Sequence, residues 1–529
     1  MNRPVGCRTR AAIRLHPNAT TRARQLPPPT PPNDAVAQSE QIFRRAVSLH
    51  HAGRLQEAIA EYRKLVQAHP DEPRWLTALG TAECQAGAIA SGLAALDRAI
   101  ALAPHDALAH VNRAHALADR GDLEAALASY DRAILLRPQS VDWYIRRASV
   151  YRHLDRLEPA LADYDRAARL KPDFPELYVS RGKVLRSLLR IDEAVASFEQ
   201  AIRLRPDYPE AWFEKADAML LQGRYAEGWP LYEWRWRANN RRHAFRIADV
   251  PPWPGPQAGN GKRVGIYREV GFGDFIMFAR YVPLVRQHGA TPIVIAPAPL
   301  LRLFRTLGDD VHLVDDQQAL PALDYQCPIM SLPRAFGTTL DTVPARFPYL
   351  FPPPAAKRLP LPSPPGRLRV GIAWAGHQRD IETSRYTRRG VDLEQLQALL
   401  AAPVEWHCLH KDLPASDRPL LARLPSIALH GSELRDFLDT AELIGQLDLV
   451  ISIDTAVAHL SAAMGKPTWL MLPFASDYRW GLGSDRSPWY PHARLFRQPA
   501  PGDWRSVANQ VESELVALVQ APLAERGRL

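Results

Sequence analysis

Small and large apolar residues recur in a fixed order every 34 residues between residues 39 and 242, and a proline marks each period at Pro70, Pro104, Pro138, Pro172 and Pro206. Small residues at two positions predict close helix crossings: Ala46, Gly80, Ala114, Ala148, Gly182, Ala216, and Ala58, Gly92, Ala126, Ala160, Ala194, Gly228. Large residues fill the position between them: Tyr62, Leu96, Tyr130, Tyr164, Phe198, Tyr232. The pattern predicts helix pairs at 39–72, 73–106, 107–140, 141–174 and 175–208, with a degenerate sixth pair at 209–242.

A period of 34 residues is that of the tetratricopeptide repeat. Each helix pair buries its apolar face only against its neighbours, so the sequence predicts an all-α solenoid with a concave groove. Such a groove generally holds a peptide or protein segment, although the array could instead support or dimerise the next domain. A polar or acidic guest is suggested by the residues expected to line the groove: Asn112, Arg113, Arg146, Arg147 and Arg181.

The second half of the chain has a different pattern, in which short β-branched runs alternate with helical segments. Strands are predicted at 263–267, 292–296, 311–314 and 325–329, and an amphipathic helix at 275–286. A second series starts at 369–373 and includes the run at 449–453. This alternation predicts two Rossmann-like α/β domains with parallel sheets. The first series is short for a complete domain.

The predicted domain boundaries follow these changes of pattern. Residues 1–38 form a basic, Pro-rich tail expected to be disordered, and residues 39–242 hold the repeats. A connector at 243–261 precedes the first α/β half at 262–343. A Pro-rich linker at 344–366 precedes the second half at 367–520, and residues 521–529 form a tail.

The stretch from Leu449 to Lys466 carries the most informative candidate site. A buried strand ends at Asp454-Thr455, which opens an Ala-rich helix that Gly465 stops. Ligands of parallel sheets bind beyond the carboxyl ends of the strands, and a helix N-terminus there favours a phosphate group. Asp454, Thr455 and Ala456 are therefore candidate ligands of a nucleotide diphosphate, with His459 one turn further on. Alternatively, Asp454 only caps the helix and His459 is a packed or solvated helix residue.

A second candidate follows the strand at 263–267. Gly271 and Gly273 allow the backbone to turn sharply and approach a ligand, and Asp274 lies where a helix begins. Asp274 is either a functional carboxylate or only a helix cap.

The loop after the strand at 369–373 contains Gly376 and then four arginines between residues 379 and 389. Arginine suits phosphate because it stays charged and presents a planar fork of donors. Arg385 or Arg389 is the expected phosphate ligand, unless the loop is simply solvated.

Composition narrows the possible functions. The net charge is +9, but six Arg and one Asp in residues 1–38 supply +5 of it, so the rest of the chain is only about +4 and nucleic-acid binding has little support. The four cysteines lack CxxC spacing, which fits a reducing cytoplasm. No apolar run reaches the length of a membrane span, although peripheral membrane association stays possible. The DxD at Asp163-Tyr164-Asp165 places its tyrosine at a repeat core position, so it predicts no metal site.

Several motifs resemble one family. DTAVAHLSAAMGKP (454–467) resembles the DTxxxHLxAAxGxP stretch of glycosyltransferase family 9, the bacterial heptosyltransferase-like enzymes of the GT-B fold. The GxGD at 271–274 and the VGIAWAGH at 370–377 resemble further family motifs, with Val270 and His377 departing from the usual Gln and Asn. The DYRW at 477–480, the SPWYP at 487–491 and the GWPLYEWRW at 228–236 resemble bacterial tetratricopeptide proteins with a heptosyltransferase-like domain.

The resemblance implies a metal-independent, probably inverting glycosyl transfer from a nucleotide-diphosphate sugar. Asp274 would be the general base, and the donor would bind the second α/β half. The final helix, 507–519, would cross back onto the first half. The acceptor would be a glycan, or a protein side chain held by the repeats. The alternative is a catalytically inactive scaffold that mediates protein interactions.

Overall fold

The computed structural model describes residues 34–238, 247, 249–353, 361, 367–376, 390–424 and 427–521. It divides into two compact units, one ending at Asp173 and one beginning at Phe174. The division falls inside the repeat array, so the last two repeats belong to the same unit as the α/β region. The tail predicted to be disordered was 1–38; its residues 1–33 lie outside the described residues, and its last five residues are helical instead, since the first helix begins at Asp34.

The first unit consists of four antiparallel helix pairs. Its helices are α1 (Asp34–His51), α2 (Leu55–Ala68), α3 (Pro73–Gln85), α4 (Ile89–Leu102), α5 (Ala107–Arg120), α6 (Leu123–Leu136), α7 (Val141–His153) and α8 (Leu157–Leu170). The predicted small positions are crossings: a Cβ on Gly80 would lie 2.7 Å from the Gly92 carbonyl oxygen, and Ala114 and Ala126 are fully buried. The 34-residue period therefore predicted these helices correctly, because small residues let the backbones approach.

The second unit begins with the two remaining helix pairs. These are α9 (Pro175–Ser187), α10 (Ile191–Leu204), α11 (Pro209–Leu221) and α12 (Tyr225–Tyr232). The short α12 contains Pro230 and ends in a 3-10 turn at Glu233–Trp236. Proline cannot donate a helix hydrogen bond, which agrees with the degenerate sequence of this sixth pair.

The first α/β half holds a four-stranded parallel sheet. Its elements are β1 (Arg263–Tyr267), α13 (Phe272–Phe278), α14 (Val282–Gln287), β2 (Thr291–Ala296), α15 (Ala298–Phe304), β3 (His312–Asp315), β4 (Tyr325–Pro328) and α16 (Leu332–Ala335). The strand order is β3-β2-β1-β4. The single helix predicted at 275–286 is wrong: α13 and α14 are separated by a 3-10 turn at Ala279–Tyr281. Pro283 explains the break, since it lacks the N–H that would continue the helix.

The second half holds a six-stranded parallel sheet. Its elements are β5 (Arg369–Ala373), α17 (Gln397–Leu400), β6 (Glu405–Cys408), α18 (Arg418–Leu421), β7 (Ile427–Leu429), α19 (Phe437–Gly445), β8 (Leu449–Ile453), α20 (Ala456–Ala463), β9 (Thr468–Leu472), β10 (Ala493–Arg497) and α21 (Trp504–Gln520). The order β7-β6-β5-β8-β9-β10 is that of dinucleotide-binding sheets. The final helix differs from expectation: Val507, Val511 and Leu515 of α21 pack in the core of this second half.

The order of the strands reverses once in each sheet. The reversal lies between β1 and β4 in the first sheet and between β5 and β8 in the second. Crevices for ligands form at such points, outside the carboxyl ends of the strands. The loops that follow these four strands are therefore the places where a site is expected.

Candidate functional site

The loop after β1 leads directly into α13. Gly271 precedes the helix with φ −64° and is exposed, so this position does not require glycine for its backbone angle. Gly273 is different, because a Cβ there would lie 2.8 Å from His459 Cδ2 and 3.4 Å from the Ala456 Cα. The absence of a side chain at Gly273 thus allows α13 to approach α20 closely. Asp274 follows in the first turn of α13.

The loop after β8 opens α20 as the sequence predicts. Thr455 is the N-cap residue, and its hydroxyl accepts a hydrogen bond from the Ala458 N–H at 3.4 Å. Ala456 and Val457 follow in the first turn and are partly exposed. Gly465, with φ +69°, ends the segment after the helix. The accessible part of this helix terminus is therefore the backbone of its first turn.

Asp454 and His459, the two candidate ligands with ionisable side chains in this segment, are both buried. Asp454 Oδ1 lies 3.5 Å from His459 Nε2, and their side chains are 6% and 4% exposed. His459 Nδ1 is hydrogen-bonded to the Tyr490 hydroxyl at 3.0 Å, and its ring stacks on Trp480 at 5.2 Å. Burial in an apolar environment raises the pKa of Tyr490 well above its ordinary value. These contacts hold the His459 side chain in the interior, against Tyr490 and Trp480.

The two candidate motifs meet through Gly273. Gly273 belongs to the GxGD segment of the first half, and its closest neighbours belong to α20 of the second half. The two halves also meet where Arg302 of α15 donates to Asp436 and Asp439 at 2.9 and 3.1 Å. The loops at both strand-order reversals therefore share one region of the unit.

Arg479 is the principal residue of this region that sequence reasoning missed. Its guanidinium group donates to the carboxylates of both Asp274 and Asp477. The Arg479 and Asp274 side chains are 9% and 18% exposed. Opposing carboxylates raise the pKa of Arg479 above its ordinary value, although burial works against them. The available signal was the DYRW stretch, which carries this arginine.

Arg235 occupies the crevice of the first sheet. It comes from the turn after α12 and forms a bidentate pair with Glu269 at 2.8 and 2.9 Å. It also donates to Ser331, which follows β4, and to Glu233, both at 2.7 Å. Glu269 follows β1, so the chain's own arginine binds the loops on both sides of this strand-order reversal. Sequence reasoning named Arg235 only as part of the GWPLYEWRW stretch at 228–236.

An aromatic cluster surrounds α12. Trp229 contacts Tyr478, Phe278 and Trp489 edge to face, with ring centroids 5.6, 6.1 and 6.2 Å apart. The Trp489 indole N–H donates to the Tyr225 hydroxyl at 2.8 Å. Aromatic pairs in these geometries stabilise contacts beyond their buried area. The last repeat is therefore packed into the α/β region of its own unit.

Charged residues of α9 and α11 bring further ion pairs to this region. Lys183 and Arg186 of α9 pair with Glu210, Glu214 and Asp217 of α11. Burial raises the pKa of Asp217, and the negative charge of Asp477 acts in the same direction. The charges near Arg479 thus include residues from the repeats.

The predicted phosphate-binding arginines cannot be placed. Arg385 and Arg389 lie outside the described residues. Gly376 follows β5 and is exposed. In the part of the chain that the structure describes, no group of three or more His, Cys, Asp or Glu side chains could hold a metal ion.

The groove arginines of the first unit are paired within the chain. Arg113 donates to Asp97 at 2.6 Å, and Arg147 pairs with Asp131 and Asp163 at 2.5 and 2.6 Å. Their positive charge is therefore balanced locally, which weakens the expectation of an acidic guest. Asp163 belongs to the DxD stretch, and the ring of Tyr164 is buried.

The helix pairs and their 34-residue spacing show that the N-terminal region consists of tetratricopeptide repeats. The model of the family "Tetratricopeptide repeat" matches residues 43–73, 77–139, 111–175 and 179–233. The C-terminal region contains parallel sheets and helices. Within the described residues, no helix is both long and apolar enough to cross a membrane.

Similar proteins include Protein FlbA of Caulobacter vibrioides, which is 26% identical over 335 residues. That alignment covers 57% of this chain and 54% of FlbA, so the chain spans about half the length of this curated relative. The crystal structure of MamA is 25% identical and covers 30% of this chain and 94% of MamA, with a TM-score of 0.29. TTC0263, a tetratricopeptide protein of Thermus thermophilus, is 23% identical and covers 34% of this chain and 99% of its own, with a TM-score of 0.28.

Proposed function

We propose that the α/β region transfers a sugar from a nucleotide-diphosphate sugar to an acceptor, and that the repeats recruit the acceptor or another protein partner. The proposal rests on one observation. Gly273, which follows the strand-order reversal of the first sheet, packs on the first turn of α20, which follows the reversal of the second sheet. The resemblance to glycosyltransferase family 9 involves the same two segments, 271–274 and 454–467. A GT-B arrangement would join an acceptor half and a donor half in this way.

The donor's diphosphate would bind at the N-terminus of α20. The backbone N–H groups of Ala456 and Val457 belong to the first helical turn, which lacks intrahelical acceptors, and both residues are partly exposed. The helix dipole adds about 0.3 to 2 kcal/mol for an anion there, so charged side chains must supply more. Asp454 and His459 would act by holding the β8–α20 corner, since both are buried.

The proposed reaction is a direct displacement. The acceptor hydroxyl oxygen forms a bond to the anomeric carbon while the bond from that carbon to the β-phosphate oxygen breaks. The electron pair leaves with the nucleoside diphosphate, and the hydroxyl proton passes to Asp274. A carboxylate serves as general base when it lies within hydrogen-bond reach of that proton. This reaction requires no metal, because the N-terminus of α20 and an arginine side chain would stabilise the leaving diphosphate.

A second candidate function is a catalytically inactive scaffold that binds proteins through its repeats. One observation favours it: the Asp274 carboxylate is already paired with Arg479 and mostly buried. An acceptor hydroxyl would have to compete with the guanidinium group for this carboxylate. The two functions differ in whether the protein binds a nucleotide-diphosphate sugar and transfers its sugar.

The test uses a charge placed at the helix terminus. Uridine, guanosine, adenosine, cytidine and thymidine diphosphates are titrated into the full chain by calorimetry. Val457→Asp places a carboxylate where the diphosphate would bind, and Val457→Asn is its neutral, nearly isosteric control. Negative charge in the first turn favours the helix, so the Asp variant should stay folded. We expect one nucleotide to bind wild type and the Asn variant, and to bind the Asp variant at least tenfold more weakly.

Turnover is measured as release of the nucleoside diphosphate from the matching nucleotide sugar. Asp274→Asn should bind the nucleotide but lose most of this release. If no nucleotide binds wild type at millimolar concentration, the transferase proposal fails and the scaffold remains. If nucleotides bind but the Asp variant binds equally well, the diphosphate is not at α20.

A further inference from the structure

The turn between β9 and β10 carries an unusual concentration of unused hydrogen-bonding groups. Tyr478, Arg479 and Trp480 are consecutive and buried, with residue exposures of 2%, 7% and 0%. Each has a buried polar atom without a hydrogen-bond partner among the described residues: Tyr478 Oη, Arg479 Nε and Trp480 Nε1. Buried polar groups in proteins are nearly always paired. The turn therefore has donors that a group from outside its own chain could use.

Arg479 is the charged member of this turn. Its two terminal nitrogens donate to Asp274 and Asp477, and Nε is the nitrogen that has no hydrogen-bond partner among the described residues. Asp477 also caps the turn by accepting from the Arg479 backbone N–H at 3.1 Å. The Asp477 contact is local, within two residues, whereas Asp274 belongs to the other α/β half. The pair with Asp274 is therefore the one that a ligand between the loops can displace.

The neighbours of Arg479 connect it to the proposed donor site. Trp480 stacks on His459 of α20. Asp274 adjoins Gly273, which packs on Ala456 at the start of α20. Arg479 is thus paired with the residue that follows Gly273, and the next residue in its turn contacts α20.

We propose that Arg479 binds the diphosphate of the nucleotide sugar and that, in doing so, it releases Asp274. The inference rests on the proposed function and adds a ligand for the phosphates that lies within the described residues. A guanidinium group can exchange a carboxylate for phosphate oxygens because both accept two parallel hydrogen bonds. Donor binding frees Oδ1 of Asp274, the oxygen that accepts from Arg479 in this structure, for the acceptor hydroxyl. Binding of the donor and the access of the acceptor hydroxyl to Oδ1 of Asp274 are thereby coupled.

The coupling makes a prediction that a structural ion pair does not make. Replacing Asp274 with Asn removes the competing charge but keeps an oxygen that accepts from Arg479. If Arg479 must leave Asp274 to bind phosphate, Asp274→Asn binds diphosphate more tightly than wild type. If Arg479 only ties the two halves together, the substitution leaves affinity unchanged or weakens it.

The experiment measures dissociation constants of inorganic pyrophosphate, the nucleoside diphosphates and the matching nucleosides for the full chain. We expect Asp274→Asn to tighten binding of pyrophosphate and diphosphate by about tenfold, the order expected when Arg479 no longer has to give up a charged partner. Arg479→Lys should weaken both by about tenfold, because the ammonium lacks the planar fork. Nucleoside binding should not change in either variant.

Glu214→Gln is the matched control. It removes one negative charge from the same region, but Glu214 contacts Lys183 and Arg186 instead of Arg479. Its affinity for pyrophosphate should stay within about twofold of wild type, since Arg479 keeps both of its carboxylate partners in this variant. An equal tightening in Glu214→Gln and Asp274→Asn would show a general field effect and overturn the inference.

The remaining outcomes separate this inference from the proposed function. If wild type binds a nucleoside diphosphate but Asp274→Asn does not tighten it, the inference fails and the donor site stands. If Arg479→Lys fails to fold, the result for Asp274→Asn still decides whether the inference holds. If neither pyrophosphate nor any nucleotide binds wild type, both fail.

Discussion

The buried pair of Arg235 and Glu269 should make one of the largest single contributions to the stability of the second unit. The Arg235 and Glu269 side chains are 3% and 5% exposed, and the pair is bidentate. Removing one partner of a buried pair leaves the other charge uncompensated, which costs about 3 to 5 kcal/mol. Arg235→Met keeps the apolar stem packed on the Tyr232 and Trp236 rings while removing the charge. We therefore expect this variant to lose about 3 to 5 kcal/mol of unfolding free energy.

The control lies two residues away. Arg237 also pairs with an acid, Asp207, and also covers a tryptophan, Trp234, but the pair is 52% and 71% exposed. Exposed pairs contribute about 0 to 1 kcal/mol, so Arg237→Met should have little effect. The measurement is urea unfolding followed by near-ultraviolet circular dichroism of the aromatic cluster. With a slope of about 3 kcal/mol per molar urea, Arg235→Met should lower the midpoint by about 1 to 1.7 M.

A double substitution tests the origin of the loss. Arg235→Met combined with Glu269→Met removes both buried charges, and replacing a buried pair by apolar residues is often neutral. The double variant should therefore be more stable than Arg235→Met alone. Equal losses for Arg235→Met and Arg237→Met would refute the reasoning, because burial would then play no part.

Two further predictions concern packing and pH. Gly273→Ala should cost about 1 to 3 kcal/mol, because its Cβ would overlap His459, and melting temperature measures this; an unchanged melting temperature would mean that α13 and α20 are not in close contact. Burial lowers the pKa of His407 to about 4, with the neighbouring His430 acting in the same direction. The unfolded chain then binds a proton that the folded one excludes, so stability should fall by up to about 3 kcal/mol as pH drops from about 7 to about 4. The loss should be smaller in His407→Asn, and an identical pH profile in that variant would contradict the assignment.

Local signals in the chain were sufficient for most of the secondary structure. The 34-residue period identified the helix pairs because each repeat packs small residues at the same two crossings. The strand at Leu449–Ile453 and the helix it leads into were predictable because a β-branched run, an N-cap threonine and a stopping glycine are all local. The break between α13 and α14 was missed although Pro283 was visible, since the apolar pattern continued across it.

The candidate site was predicted only in part. The sequence named the segments 271–274 and 454–459 as separate candidates, and the structure brings them together at Gly273. The burial of His459 was not predictable, because its partners Tyr490 and Trp480 follow it by more than twenty residues. The same holds for Arg479, whose partner Asp274 is 205 residues away.

The sequence by itself determined the repeat class, the number and order of the helix pairs, and the parallel character of the two sheets. These features depend on periodicity, capping and β-branched runs, which act over a few residues at a time. Only the tertiary structure decided which charges pair: Arg235 with Glu269, and Arg479 with Asp274. The physical reason is that a charge in a sequence is compatible with solvent or with any opposite charge, whereas burial leaves only the partner that the fold brings within hydrogen-bond distance.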